Sequence, residues 1–347
     1  MDWIDTLTRL CSCDAPSGFE TPAALLAAEL LRPYTDEITT DALGNLIAVR
    51  RCGKPDAVRL LLDAHIDEIG FVVTGYAENG FLRFTGIGGH DERLLPASEV
   101  KLLTDPPLPG VIDTLPPHLQ KDADAEIAVK IDDMYIDAGL SPEDAGRLVP
   151  EGTPAVFLSE PTALGANQFC AKALDNRASV AVVLGALELL VGGPLGVDLY
   201  ILFSSQEEVG VRGAPTAAFA ADARYAIVLD VDFARQPDMM PERGRIPGGG
   251  VVVARGPNMD RGLTERAAAI ARERDIPYQI SVEPGGNSGT NARAIQVSRA
   301  GVKTALLGVP VKYMHTPAET LCTDDLGAAA RLVAALISEL GGGIRNA

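Results

Sequence analysis

Basic charge is scarce in this chain: 30 Lys and Arg stand against 47 Asp and Glu, a formal net charge of −17. That balance excludes nucleic acid or an anionic membrane as the main partner, because both recruit proteins through cationic surface. Cysteine is scarce too. Cys11, Cys13, Cys52, Cys170 and Cys322 are odd in number, scattered, and never in CxxC spacing. A disulfide framework and a four-thiolate zinc site are thereby excluded, and reduced thiols in a cytoplasmic protein are expected. No apolar run reaches membrane-spanning length. Met1-Asp2-Trp3-Ile4-Asp5 reads as the start of a helix rather than a signal peptide. The GxSxG elbow, the HExxH pair and a GK[ST] after a glycine turn are all missing, which sets aside the enzyme classes built on them. What is present, 47% hydrophobic and 22% charged residues over 347 positions, suits one large or two ordinary globular domains.

The first seventy residues read as mixed α/β. Ile4, Leu7, Leu10 and Cys11 share one helical face, Ala23 to Leu31 forms a second helix, and Asn45–Val49 and Val58–Leu62 are strands. From Phe71 to Leu158 the texture changes to short β-like runs (Phe81–Phe84, Val100–Leu103, Ile127–Ile131) between Gly and Pro clusters, among them Gly86-Ile87-Gly88-Gly89 and Pro106 to Gly110. Strands at that spacing predict a small barrel or sandwich inserted into the α/β unit. Within it, Ser141 and Pro142 open a short helix to Leu148. After Ser159 the α/β rhythm returns. Helices are expected over Asp175–Leu190 and Leu263–Arg274, with strands over Asp198–Phe203, Tyr225–Leu229 and Lys303–Leu307. Thr323 is expected to cap a last helix whose stripe is Leu326, Val333, Leu336, Ile337 and Leu340.

Only four histidines occur: His65, His90, His118 and His315. His65 follows a strand and precedes Asp67 by two, an arrangement in which a carboxylate orients a metal-binding imidazole. Glu207-Glu208 follow the apolar run Leu199–Phe203, and adjacent carboxylates at a strand end can divide metal binding from proton transfer. Taken singly, each candidate has an ordinary reading. Asp175 can be a helix N-cap, Asp230 a turn former with Asp232 as its rival, and His315 a solvated loop residue. Together, His65, Glu207, Glu208 and Asp230 fall at carboxyl ends of strands, the edge where α/β sheets build sites. Asp175 and His315 can reach that edge. One Asp, two His and two further carboxylates fit two divalent ions such as zinc or cobalt. His90 and His118 are read as loop residues of the insert, either of which can approach the site.

These motifs resemble the tetrahedral aminopeptidase family, which includes glutamyl and deblocking aminopeptidases. The resemblance spans nearly the whole chain, from His65-x-Asp67-Glu68-Ile69-Gly70 through Pro116-Pro117-His118, Ile136-Asp137-Ala138-Gly139 and Glu207-Glu208-Val209-Gly210 to His315-Thr316-Pro317-Ala318-Glu319. It implies a zinc-aminopeptidase-like mixed sheet flanked by helices, formed by 1–70 and 159–347, with 71–158 as an inserted β-rich dimerisation domain. It further implies that Asp175 bridges two metals, with Glu208 and His315 completing one and His65 and Asp230 the other. Glu207 would be the general base and Asp67 the residue that orients His65. The activity implied is removal of the first residue of short peptides by an activated water, with assembly as dimers and a tetrahedral dodecamer. Alternatives are a deblocking peptidase or deacylase, an endoglucanase, and a non-catalytic assembly protein. Paired carboxylates of a glycosidase must face one another across a sugar, and neighbours in extended chain point to opposite sides. Two departures stand out: Gly289-Thr290-Asn291-Ala292 where the family has Gly-Thr-Asp-Ala, and Gly248-Gly249-Gly250-Val251 where it has Gly-x-Gly-Pro.

Overall fold

A computed structural model describes residues 1–115, 128–283 and 289–342. From the N-terminus, helices α1 (Trp3–Cys11) and α2 (Thr21–Leu31) precede strands β1 (Glu37–Thr40), β2 (Leu46–Arg50) and β3 (Arg59–His65). The chain then enters β4 (Gly70–Tyr76), β5 (Leu82–Ile87), β6 (Glu99–Leu102), β7 (Leu108–Asp113) and β8 (Tyr135–Asp137), followed by α3 (Pro142–Leu148) and β9 (Pro154–Phe157). It returns through β10 (Thr162–Leu164), β11 (Gln168–Ala171), α4 (Leu174–Leu189), β12 (Asp198–Ser204), α5 (Gly213–Ala221) and β13 (Tyr225–Phe233). Last come β14 (Val251–Arg255), α6 (Arg261–Glu273), β15 (Tyr278–Val282), α7 (Ala292–Ile295), β16 (Lys303–Lys312), β17 (Glu319–Cys322) and α8 (Thr323–Gly341).

Two β-structures result. An 11-stranded mixed sheet runs β1-β2-β12-β3-β13-β16-β17-β11-β10, with β14 and β15 branching from β16. Its centre, β12-β3-β13-β16, is parallel. Parallel strands are covered on both faces, so they read as continuous apolar runs. In β3, Leu60 and Leu62 join the core under α1, α4 and α8, while Leu61 joins the core under α5 and α7. The same alternation puts Tyr225, Ile227 and Leu229 of β13 on one side, Ala226 and Val228 on the other. The second structure is a closed barrel, β4-β5-β8-β7-β6-β9, filled by residues such as Phe71, Phe84, Val100, Ile112 and Ile136. Among the described residues, no helix is long and apolar enough to cross a membrane.

Register does the placing. Ser204 pairs with His65 and Asp230 with Gly308. Asp63 pairs with Val228, so two residues further along each strand His65 and Asp230 stand at one level of the sheet, on one face.

Several expectations need correction. Pro109 and Gly110, read as part of a cluster between strands, lie inside β7. Gly110 is required there because a Cβ would meet Ile136 Cγ2 at 2.7 Å inside the barrel. The strand expected over Ile127–Ile131 is not formed by its described part. Residues 128–130 are irregular and Ile131–Asp133 is a 3₁₀ turn, and the barrel strand is β8 instead. Val129 and Ile131 still pack against the barrel core, which accounts for their apolar alternation. Ile4 is exposed rather than on the buried face of α1. Thr323 does not cap α8: the N-cap position is Cys322, and the Thr323 hydroxyl donates to the Asn167 carbonyl instead. His118 lies outside the described residues.

Candidate metal centre

His65 ends β3 with its ring almost fully buried. Its Nε2 lies 3.0 Å from Asp175 Oδ1 and 3.8 Å from Asp230 Oδ1, and its Nδ1 is 3.4 Å from Asp67 Oδ1. Asp175 sits at the start of α4 with non-helical torsions (φ −79, ψ 100), and makes no capping hydrogen bond to that helix. Its carboxylate instead spans two imidazoles, because Oδ2 is 3.3 Å from His315 Nε2. Glu208 Oε2 is also 3.3 Å from His315 Nε2. Two triads therefore share one aspartate: His65, Asp175 and Asp230, and Asp175, Glu208 and His315, each with donor atoms within 4.8 Å of one another. Asp232 faces the same cavity but belongs to neither triad.

Glu207 and Glu208 are not at the end of β12 but three and four residues beyond Ser204, past a Gln206 with φ +55. The chain there is a loop, not extended, so the pair does not alternate between faces. Both side chains line one cavity of about 250 Å³, with His65, Asp175, Asp230 and His315. Alternation is thus no ground against a glycosidase in this protein. Asp67 holds the loop: its Oδ1 accepts the Glu207 N–H at 3.0 Å and its Oδ2 the Glu208 N–H at 3.1 Å. Ser17 Oγ donates to the same Oδ2 at 2.5 Å.

The far side is braced by residues the sequence reading passed over. Buried Glu319 accepts the Asp175 N–H at 2.9 Å and the His315 N–H at 2.7 Å, which holds His315 at φ +63. It stands four residues after His315 in the same motif, and that proximity was its only signal. Gly89, from the loop after β5, places its carbonyl 3.0 Å from His315 Nδ1. A proton on Nδ1 bonded to that carbonyl leaves Nε2 free to face the carboxylates. Gly88 has φ +81, and a Cβ there would meet Ile69 Cγ2 at 2.7 Å. Gly88 and Gly89, at the end of the glycine run, are therefore packed against the site. His90 stacks on Phe71 with Nε2 2.7 Å from the Gly70 carbonyl, and joins neither triad. Asn291 is buried beneath the cavity, donating to Asp63 Oδ2 at 2.9 Å and Ser204 Oγ at 2.8 Å. A carboxylate at that position would face the Asp63 carboxylate, a repulsion the amide avoids.

Electrostatics show what the cluster requires. Burial drives the Glu207 carboxyl up to about 8, with Glu208, Asp175 and Asp67 adding repulsion. Burial and Asp175 also raise Glu208, and burial raises Asp230 far above the usual range. The imidazoles respond in kind. Burial pulls His65 down, yet hydrogen bonds to Asp175 and Asp67 raise it well above its ordinary value. His315 is pushed up to about 11 by Asp175 and Glu208 against the effect of burial. Burial alone would raise Asp175, but the two imidazoles hold it well below the usual carboxylate range. Glu207 Oε1, in a side chain only 7% exposed, has no hydrogen-bond partner. No Lys or Arg lines the cavity among the described residues. So many acids around two imidazoles call for cations from outside the chain, and two carboxylate–imidazole triads sharing one carboxylate fit two divalent ions.

Known proteins resemble this chain over nearly its whole length. Residues 44–332 match the M42 glutamyl aminopeptidase family. The chain is 33% identical to the lysyl aminopeptidase of Pyrococcus furiosus, over 98% of each protein. It resembles the TET aminopeptidase of a marine sediment thaumarchaeon at a TM-score of 0.92 and 30% identity, covering 97% of this chain and 96% of that one. It also resembles the TET1 peptidase of Pyrococcus horikoshii, described as assembling into a tetrahedron or a large octahedral shell. That match has a TM-score of 0.84 and 33% identity, and covers 97% of this chain and 99% of that one. The protein is thus a hydrolase of peptide bonds, of the aminopeptidase class. It belongs to the M42 glutamyl aminopeptidase family.

Proposed function

We propose that this chain is a two-metal aminopeptidase, with His65 and Asp230 holding one ion, Glu208 and His315 the other, and Asp175 both. The observation that carries this reading is Glu207 Oε1: buried, without a partner, and lining the cavity that both triads face. Bound there, zinc or cobalt would supply Lewis acidity to a scissile carbonyl and lower the pKa of a water towards about 7. With the ions bound and its own proton lost, Glu207 would act as the general base, taking a proton at Oε1 and giving it to the departing amine, a role worth roughly 10²–10⁴-fold. Asp67 orients His65 and fixes the Glu207–Glu208 loop through two N–H groups, so one carboxylate sets both the ligand and the base.

The same reading assigns 1–70 and 159–347 to catalysis and 71–158 to dimerisation. Exposed Tyr76, Phe81, Val111 and Leu115 on the barrel support an interface there. The tetrahedral assembly of the Pyrococcus horikoshii relative supports a dodecamer. Five free thiols suit a cytoplasmic protein.

The reading is tested with one short peptide, free and N-acetylated, and with carboxymethylcellulose, on protein loaded with zinc or cobalt. The expected result is release of the first residue from the free peptide alone, since the unblocked amino group positions the first bond. Faster cleavage of the capped peptide would replace this reading with a deblocking or deacylase activity, and sugar release would replace it with a glycosidase.

A further inference from the structure

The cavity beside the two triads continues past the site residues. Beyond Asp230 its wall is formed by Val252, Ala254, Leu306 and Gly308, and it carries two further carboxylates, Asp232 and Glu283. Asp232 lies two residues after Asp230 on β13 and so shares its face of the sheet. Gly308, opposite, keeps this corner open, because a Cβ there would come within 3.1 Å of Asp232 Cβ. Glu283 follows β15 directly. Asp232 is half-buried, with Arg245 as a neighbouring opposite charge and Glu283 as a like one. Two of the Arg245 nitrogens donate to the Ile280 carbonyl at 2.7 Å and to the Glu242 carbonyl, while Nε has no partner. Residues 284–288 bring no charge in sequence. Glu207, whose Oε1 is buried and without a partner, lines the same cavity.

We propose that this cavity receives the first side chain of the peptide and selects lysine or arginine, with Asp232 and Glu283 taking the cationic head. The inference rests on the aminopeptidase reading above and supplies the substrate class that reading leaves open. The lining has the two parts such a side chain needs. Apolar Val252, Ala254 and Leu306 suit a methylene stem, and the carboxylates suit a charged tip, which is how long basic side chains bury themselves. An acidic first residue would meet two like charges. A plain aliphatic one would leave two carboxylates desolvated without a partner.

The test compares lysyl, arginyl, norleucyl and glutamyl anilides on metal-loaded enzyme, norleucine being lysine without its charge. Lysyl and arginyl substrates are expected to exceed norleucyl by at least about tenfold in kcat/KM, mostly through KM, with glutamyl the poorest. Asp232→Asn and Glu283→Gln should each reduce the lysyl-to-norleucyl ratio, and the double variant should bring it near one. Calorimetric titration with free L-lysine and L-norleucine reads the same preference without turnover, and lysine should bind at least about tenfold more tightly. Equal rates for lysyl and norleucyl substrates in the wild type would overturn the proposal. So would an unchanged ratio in both variants; a parallel loss on both substrates would assign the carboxylates to the α-ammonium instead. Turnover of norleucyl substrate without lysine preference would strike the pocket alone. No turnover of any substrate would strike the aminopeptidase reading beneath it.

Discussion

The two halves of the proposed metal centre share Asp175 but are held in different ways. His65 and Asp230 ride on adjacent parallel strands, and their side chains are 2% and 9% exposed. Glu208 and His315 stand on loops, and the His315 side chain is 32% exposed. The first half is set by sheet register, which cannot slip without turning every side chain to the other face. The second is set by single contacts: Asp67 to the Glu208 N–H, Glu319 to the His315 N–H, and the Gly89 carbonyl facing the imidazole. One of those contacts comes from the loop after the barrel strand β5, so the barrel's position reaches the chemistry through His315. The difference shows how a site can be rigid where the sheet builds it and adjustable where loops complete it.

The largest expected effect separates base from ligand. Glu207→Gln should lower kcat by roughly 10²–10⁴-fold while metal content stays near two per chain, because the amide cannot take the proton. Glu208→Ala, one residue on, should lose both activity and metal from the loop-built half. Metal analysis of both variants beside their rates checks this. An exchange of the two phenotypes would reverse the roles of the pair.

A smaller effect sharpens the contrast between the halves. His65→Ala removes a buried imidazole from among Asp67, Asp175 and Asp230, so the metal-free protein should lose about 3–5 kcal/mol to buried charge without a partner. His315→Ala removes a ring that is 32% exposed, so solvent can reach the Asp175 and Glu208 carboxylates it leaves, and should cost less than His65→Ala. Both variants should bind metal poorly, so stability is what tells them apart. Urea denaturation of the stripped proteins checks it. Equal losses would mean that the loop half is as deeply built as the strand half.

The same contrast explains what was legible in the sequence. Strands buried on both faces announce themselves as apolar runs, so polar residues near their ends, His65 and Asp230, could be picked out by position. Glu207-Glu208 were visible as a pair, but not the turn at Gln206 that brings both into one cavity, because a positive φ on a glutamine has no local signature. Ser17, Gly89 and Glu319 act through contacts closed by tertiary folding. Nothing near Gly86-Ile87-Gly88-Gly89 in sequence points to His315. In the barrel, strands are short and packing decides, so Gly110 could be read as lying between strands although Ile136 demands it inside one. The irregular segment around Val129 kept the apolar alternation of a strand because its side chains still lean on the core.

The smallest expected effect is a pH dependence that should run in opposite senses for stripped and loaded protein. In stripped protein Glu207, with its carboxyl raised to about 8, and the raised Glu208, Asp230 and Glu319 hold protons that the unfolded chain has already released. Their stability contribution therefore falls as pH rises from the ordinary carboxylate range towards those folded values. His65 and His315 act in the same sense, since both are raised above 6.5, His315 to about 11; their stabilisation is complete below 6.5 and is lost as pH climbs through the folded values. Asp175 opposes them, but its depressed carboxyl matters only below its ordinary value of 3.8. Stripped protein should thus melt progressively lower between about pH 5 and pH 9. Metal binding runs the other way, because the ligands must lose protons to bind. Melting temperatures of the two forms should nearly meet at the acid end and separate steadily towards the alkaline end. A gap that stays constant across that range would mean that the buried carboxylates and imidazoles do not exchange their protons for metal, and would remove the electrostatic case for both halves alike.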